Sequence, residues 1–180
     1  MEQRFELGKP DPRLWTRPKA VPIRERVEQT LSTLPSGGTL IIDAAAVEIF
    51  DLSFAAELFG KTVLRLAHDY PGRFFVVEHL NVHARENLEA ALKQLDLAMI
   101  ERNDGHPRLI GKYHPTDEET LEAIFSAGVP VTAADLRDRL DLTINAANER
   151  LSKLVQFGVV RRERGKSPAG REQFLYSVLR

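Results

Sequence analysis

Apolar residues in the first two thirds of the chain form short runs separated by segments with helical spacing. Thr39–Asp43 is an apolar, β-branched run and 73–78 is another, and both are typical of buried strands. Between them, apolar residues such as Leu58 and Leu66 recur at the period of a helix that buries one side. Strands and helices in alternation predict an α/β fold in which helices cover a sheet.

The elements predicted in this first part are short. Its strands are 4–8, 39–43, 73–78, 97–101 and 109–111, and its helices are 23–34, 53–68 and 82–95. Four prolines occur in 9–22, which predicts an ordered loop in that segment. Polar segments lead from the last predicted strand to a second region, and we place the domain boundary between 114 and 115.

The last third of the chain has a helical period followed by two alternating segments. Helices are predicted over 117–127, 133–140 and from 144 onward, and strands over 159–164 and 173–178. Gly158 is the predicted stop of the third helix. The buried stripe predicted for that helix consists of Ile144, Ala147, Leu151, Leu154 and Val155.

Three helix starts in this region have capping residues. Thr116 with Glu119, and Thr132 with Asp135, match the capping box, in which Ser or Thr is followed three residues later by an acid. Thr143 is the predicted cap of the third helix.

Charge is balanced overall but not locally. The net charge is −1, from 25 basic and 26 acidic residues, which excludes a generically basic nucleic-acid binder. The region 145–180 differs because it holds eight basic and three acidic residues, a local charge of +5. Local placement matters more than the total, since fields over a few ångströms act before salt screens them.

Several classes of site are disfavoured by the residues present. The absence of cysteine excludes disulfides and thiolate metal sites. His79, His83 and Glu86 do not have the spacing of a metal site, and no catalytic or dinucleotide-binding motif is present. We therefore expect no metal, no cofactor and no enzymatic activity. No apolar run is long enough to span a bilayer and no signal peptide is present, so we expect a cytoplasmic protein.

The last third resembles a known fold. Leu151, Leu154, Gly158, Val159, Val160 and Arg162, in the pattern L-x-x-L-x-x-x-G-V-V-x-R after two helices, resemble the winged helix-turn-helix of bacterial regulators. The resemblance covers 115–180, and it implies a helix that reads DNA and a hairpin, or wing, beside it. The same fold also serves as a protein interaction module, so it does not by itself imply DNA binding.

The first part resembles a STAS domain, the fold of anti-sigma factor antagonists. The residues that carry the resemblance are Leu40–Asp43 and Val47–Gly60 as they stand in the sequence, and the domain spans 1–114. In the antagonists a strand leads to Asp-Ser-Ser-Gly at a helix start, where a serine is phosphorylated. Asp51 and Ser53 match that motif, whereas Leu52 and Phe54 replace its first serine and its glycine. The chain is closer to a divergent STAS-like group.

Ten residues are candidates for DNA contact. Asn and Gln can pair with adenine edges and Lys can reach guanine or phosphate, so the exposed face of the third helix predicts a recognition helix in the major groove. The basic hairpin would contact phosphates or enter the minor groove. A solvated polar face and a charged loop tip are the alternatives. The candidates are Thr143, Asn145, Asn148, Ser152, Lys153, Arg161, Arg162, Arg164, Lys166 and Arg171.

Asp51, Ser53 and Glu57 are the candidates for a partner or phosphorylation site. A phosphate on Ser53 would lie at the positive end of a helix dipole, whereas the alternative is that Ser53 is a helix cap or first-turn residue without a switch. Glu57 is expected to pair with a nearby cation, and Asp43 to anchor a neighbouring loop.

These observations favour a DNA-binding transcriptional regulator. The winged helix would contact double-stranded DNA, and the STAS-like domain would provide partner binding, dimerisation or signal input. A homodimer is expected, because a single winged helix covers few base pairs. The alternative is a partner-switching regulator, similar to an anti-sigma factor antagonist, whose winged helix docks a protein.

Overall fold

The computed structural model describes residues 1–167 and 170–179. The chain divides into two compact units, Met1–Tyr113 and His114–Arg180. Together the described residues form a mixed α/β protein with six helices, one of which is interrupted by a π-helical turn.

The first unit is built on a five-stranded sheet with the strand order β1-β3-β5-β6-β7. The first four of these strands are parallel, and β7 is antiparallel to β6. A separate parallel pair joins β2 to β4. The strands are β1 (Glu2–Glu6), β2 (Arg13–Leu14), β3 (Thr39–Asp43), β4 (Ile49–Phe50), β5 (Phe74–Glu78), β6 (Ala98–Asn103) and β7 (His106–Gly111).

Helices connect the parallel strands. They are α1 (Arg17–Thr33), α2 (Leu52–Ala55), the π-helical turn Ala56–Gly60, α3 (Lys61–Asp69) and α4 (Val82–Gln94), with α2, the π turn and α3 forming one continuous helix. The predicted loop over 9–22 is partly wrong, because α1 already begins at Arg17. Pro18 lies in its first turn, where a missing N–H breaks no helical hydrogen bond.

The core of the first unit lies between the sheet and these helices. Leu40 and Ile42 of β3 contribute to it from alternate positions, as do Phe75 and Val77 of β5. A series of aromatic contacts crosses this core, with ring centroids 5.9 Å apart for Phe50 and Phe54, 5.7 Å for Phe50 and Phe59, and 6.0 Å for Phe59 and Phe75. These contacts hold the segment around Asp51 in place.

The second unit consists of three helices and an antiparallel hairpin. Its elements are α5 (Pro115–Ser126), α6 (Ala133–Leu140), α7 (Ile144–Gln156), β8 (Val160–Lys166) and β9 (Glu172–Val178). Its core residues Leu121, Ile124, Leu136, Ala147, Leu151 and Leu154 are at most 2% exposed. The backbone of Val131 exchanges two hydrogen bonds with Tyr176, of 2.9 and 2.8 Å, which ties the hairpin to the α5–α6 connection.

Two of the three predicted helix starts are confirmed. Thr132 and Asp135 form the capping box of α6, and the Thr143 hydroxyl oxygen accepts from Ala146 N at 3.2 Å. The predicted box of Thr116 with Glu119 is wrong. His114 is the cap, and Asp117 accepts from His114 N at 2.8 Å. The helix begins earlier because Pro115 is suited to its first position.

The end of α7 follows the prediction, whereas its buried face begins later. Gly158 has φ +70°, as expected of a glycine that ends a helix. Ile144, however, is 43% exposed at the first position of the helix, and Ala147 is the first residue of the predicted stripe to be buried. No helix in 1–167 or 170–179 has both the length and the apolar character needed to cross a membrane.

Candidate functional site

α7 exposes a polar face. Asn145, Asn148 and Ser152 are exposed, while Ala147, Leu151 and Leu154 on the opposite side are buried. Thr143 is exposed at the helix start, where its hydroxyl oxygen already accepts the capping hydrogen bond. The face therefore offers amide donors and acceptors without a cation on it.

The two cations of α7 are held by acids of α5. Arg150 Nη1 lies 2.6 Å from Glu119 Oε2, and Lys153 Nζ lies 2.6 Å from Asp117 Oδ2. Lys153 Nζ also lies 5.5 Å from the ring centroid of Phe157. A contact from Lys153 to DNA would have to break its pair with Asp117. This pairing could not be predicted from the sequence, because residues 36 positions apart give no local signal.

The β8–β9 hairpin carries cations in alternation. Arg162, Arg164 and Lys166 occupy alternate positions of β8 and therefore share one face of the hairpin, whereas Arg161 belongs to the other. Arg162 Cζ lies 4.8 Å from the ring centroid of Phe174, a cation–π contact that orients the guanidinium. Within the described residues, neither Arg164 nor Lys166 forms an ion pair, so both remain able to meet an anion.

The end of the hairpin is closed by Ser167. Its N–H donates to Arg171 O at 2.8 Å, and its hydroxyl oxygen accepts from Arg171 N at 3.1 Å. Arg171 is exposed beside this closure. The predicted turn also includes Pro168 and Ala169, which lie outside the described residues, as does Arg180 of the basic region.

α7 and the hairpin carry different binding groups, amides on the helix and cations on the hairpin. The amides of Asn145 and Asn148 can hydrogen-bond to base edges. The hairpin cations can pair with phosphate, and Arg can do so with two parallel hydrogen bonds. Because Arg150 and Lys153 are neutralised by Glu119 and Asp117, the positive charge available to a ligand is concentrated on the hairpin.

The Asp51 carboxylate organises the start of α2. Its Oδ1 accepts from Phe54 N at 2.7 Å and from the Ser53 hydroxyl at 2.9 Å, and its Oδ2 accepts from Thr16 N at 2.9 Å. Burial alone would raise the pKa of Asp51, but the hydrogen bonds from Phe54 and Thr16 outweigh it and hold the pKa below its usual range. Asp51 is the cap, and Ser53 is a first-turn residue whose hydroxyl is engaged by that carboxylate.

Glu57 lies on the π-helical turn, and only 1% of the residue is exposed. Its Oε1 accepts from Arg24 Nε at 3.2 Å and Lys61 Nζ at 2.9 Å, and its Oε2 lies 3.5 Å from Arg17 Nε. Burial would raise the pKa of Glu57, but these Lys61 and Arg24 contacts outweigh it, so the pKa is lowered. The predicted pairing of Glu57 with a cation is confirmed. A partner protein would meet chiefly the cations around it.

A second set of charged residues lies at the carboxyl ends of the parallel strands. Asp43 Oδ1 lies 2.7 Å from His79 Nδ1 and accepts from Ala45 N at 3.1 Å, which confirms that Asp43 anchors a loop. Arg102 pairs with Glu78 at this end of the sheet and also with Glu2, the first residue of β1. The Arg102 pairs join strands that are distant in sequence, so no sequence motif marks them. In the described part of the chain, no three His, Cys, Asp or Glu side chains are arranged to hold a metal ion.

Comparisons with known proteins add little. Neither a protein-family model nor a curated protein matches the chain. One similar solved structure is described as a possible transcriptional regulator from Methanosarcina mazei Go1, with 13% sequence identity and a TM-score of 0.34. The match covers 38% of this chain and 57% of that one, little more than half its length. A likeness of this size does not indicate a shared function.

Proposed function

We propose that the protein binds double-stranded DNA and regulates transcription. The observation that supports this is the surface of the second unit, where α7 exposes the amides of Asn145 and Asn148 and the hairpin that follows α7 carries Arg162, Arg164 and Lys166 on one face. Three helices followed by a hairpin are the order of elements in a winged helix-turn-helix. In that arrangement α7 enters the major groove and the hairpin follows the phosphates. The role is one of binding, without a catalytic step.

Affinity and specificity are assigned to different elements in this proposal. The hairpin supplies affinity, because its cations can neutralise phosphates and release counterions. α7 supplies base preference, because its exposed side chains are amides and its own cations are paired with α5. Arg161 and Arg171 extend the basic hairpin, and Thr143 and Ser152 flank the amides on α7.

The first unit is proposed to be a STAS-like domain that provides partner binding, dimerisation or signal input. Four parallel strands in sequential order, and a helix start organised by Asp51 and Ser53, support this assignment. We expect a homodimer, because two winged helices are needed to cover an operator of ordinary length.

Binding to a mixed-sequence duplex across a salt series tests the proposal. We expect the wild-type protein to bind at low salt with a steep salt dependence. The double variant Arg162→Ala with Arg164→Ala should bind more weakly, and its log–log salt slope should be shallower by about two units, since each lost phosphate contact removes about one. Fluorescence anisotropy measures both quantities.

A charge-matched control comes from the first unit. The double variant Lys93→Ala with Lys112→Ala also removes two positive charges from exposed positions, and its binding and slope should equal those of the wild type. Undetectable binding at low salt, or equal effects of the two double variants, would contradict the proposal.

Docking of a protein is the second candidate function. It is favoured by one observation: the exposed face of α7 has no free cation within the described structure, and Glu149 adds a negative charge to it. In this version the protein is a partner-switching regulator, and the Asp51–Ser53 helix start binds a regulatory kinase or anti-sigma factor. Loss of a defined partner in Ser53→Asp, with retention in Ser53→Ala, would support it; retention in both would remove Ser53 from the mechanism.

A further inference from the structure

A cavity of about 250 Å³ lies at one edge of the first unit. It is formed by the carboxyl end of β1, the loop that follows, and the first half of α1. Most of its lining is apolar, and two of its residues, Leu7 and Leu14, are at most 3% exposed. The apolar lining residues are Phe5, Leu7, Pro10, Leu14, Pro22 and Ile23.

The loop beside the cavity is held in one position. Leu7 N donates to Asp43 O at 2.9 Å. Gly8 has φ +87°, and a Cβ added there would lie 2.8 Å from the backbone of Ala46. The cavity is therefore part of the packed structure rather than a gap left by a loose loop. It also lies beyond the carboxyl end of a parallel strand, where open α/β sheets bind ligands.

One cation at the cavity differs from the other two. Lys9 Nζ pairs with Glu6 at 3.1 Å and Lys19 Nζ pairs with Asp11 at 2.5 Å. Arg26 has no acidic partner among the residues that the structure describes, and its Cζ lies 5.2 Å from the ring centroid of Phe5. Arg26 thus places an uncompensated guanidinium directly above an aromatic surface of the cavity.

We propose that this cavity binds a small monocarboxylate with an apolar body. The carboxylate would pair with Arg26, and the body would pack against Phe5, Leu14 and Ile23. A cavity of about 250 Å³ is slightly smaller than the pockets that hold drug-sized molecules, so it suits a compact ligand of aryl or branched-alkyl type. A dianion such as phosphate is disfavoured, because Glu6 and Asp11 compensate the charges of Lys9 and Lys19 and leave Arg26 as the one uncompensated cation of the lining within the described structure.

This inference does not depend on DNA binding, and its test uses the full chain without DNA. Phenylacetate is titrated by calorimetry, with phenylacetamide as the neutral ligand of the same shape. Trp15, the single tryptophan, follows the lining residue Leu14 and provides a second readout by fluorescence. We expect saturable binding of the carboxylate, and binding of the amide that is weaker by about tenfold, the value of one charge-assisted hydrogen bond.

Two variants and a control locate the ligand. Arg26→Gln should weaken phenylacetate binding by about tenfold and leave amide binding unchanged. Ile23→Trp should fill the cavity and abolish binding of both ligands. Arg137→Gln, which removes an exposed arginine of the second unit, should have no effect.

Three results would overturn the inference. They are the absence of saturable phenylacetate binding, equal affinity for acid and amide, and equal weakening by Arg26→Gln and Arg137→Gln. Arg26 is exposed, so Arg26→Gln should fold. This variant therefore tests whether Arg26 binds the carboxylate even if Ile23→Trp is unstable.

Discussion

The ammonium of Lys153 lies 2.6 Å from the carboxylate of Asp117, so this cation of α7 is directed at α5. Asp117 is 2% exposed, and the same Oδ2 accepts from His114 N at 2.8 Å. One buried carboxylate thus begins α5 and holds α7 against it. The pairing leaves the hairpin as the main source of positive charge for a nucleic acid.

The first prediction follows from that ion pair. Lys153→Ala should reduce DNA affinity much less than Arg164→Ala, because Lys153 is already paired and Arg164 is not. Asp117→Ala should lower the free energy of unfolding by about 2 kcal/mol, because it removes both a helix-start hydrogen bond and the partner of Lys153. Anisotropy and urea denaturation measure these effects. Equal loss of affinity in Lys153→Ala and Arg164→Ala would show that Lys153 leaves Asp117 to contact DNA.

The second prediction concerns base preference. Asn148→Ala should reduce the discrimination between bases at one base pair by about 1–3 kcal/mol, because a bidentate amide contact is lost. Selection from a random duplex library would show this as a weaker preference at that base pair. It should leave the salt slope unchanged, because an amide neutralises no phosphate. Gln94→Ala, at an exposed position of α4 in the first unit, is the control. An altered salt slope with unaltered preference would assign Asn148 to the backbone instead.

The third prediction is a pH dependence that originates at Glu57. Because the pKa of Glu57 is lowered in the folded protein, Glu57 stabilises the fold above its unfolded pKa of about 4.3. That contribution is lost as the pH falls through the lower folded-state pKa. Glu57→Gln should therefore cost about 3 kcal/mol near neutral pH, since it leaves Lys61 and Arg24 without that carboxylate.

Denaturation across the acid range provides the measurement for Glu57. The difference between the wild type and Glu57→Gln should narrow as the pH falls, because wild-type Glu57 becomes protonated and neutral. Glu86→Gln, at an exposed position of α4, should show no such narrowing. A difference that stays constant with pH would mean that the variant acts through packing alone.

The fourth prediction compares two glycines of β7 and its turn. Gly111 has φ +109°, and an added Cβ would collide with the Leu97 carbonyl and lie 2.8 Å from Leu92 Cβ. Gly105 has φ +78° but no atom within 4 Å of such a Cβ. Gly111→Ala should therefore destabilise the first unit by more than 3 kcal/mol, and Gly105→Ala by about 1 kcal/mol, the cost of the backbone conformation alone. Equal melting temperatures for the two variants would contradict this.

Elements with a strong local pattern could be predicted from the sequence. The strand Thr39–Asp43 is observed over the predicted residues, as is the helix Ala133–Leu140 with its Thr132 cap. One error arose where two residues compete to cap the same helix, and the sequence alone did not resolve that competition. Thr116 and His114 both lie before a helical stretch, and Pro115 decides in favour of His114.

The candidate site was predictable in its components but not in its pairings. The amides of α7 and the cations of the hairpin are evident from helical and strand periodicity. The partners of Lys153 and Glu57 are not, because each joins elements that only the packing of the chain brings together. The cavity beside Arg26 gives no sequence signal for the same reason.

The sequence determined most of the helices and strands, because apolar spacing and capping residues act over a few neighbouring positions, but it predicted neither β2 nor β4. It also determined where basic residues concentrate. Which charges remain available depends on the folded chain, since an ion pair requires distances of a few ångströms between elements that are far apart in sequence. The proposed phosphate contacts are therefore assigned to Arg164 and Lys166 of the hairpin rather than to Lys153 of α7.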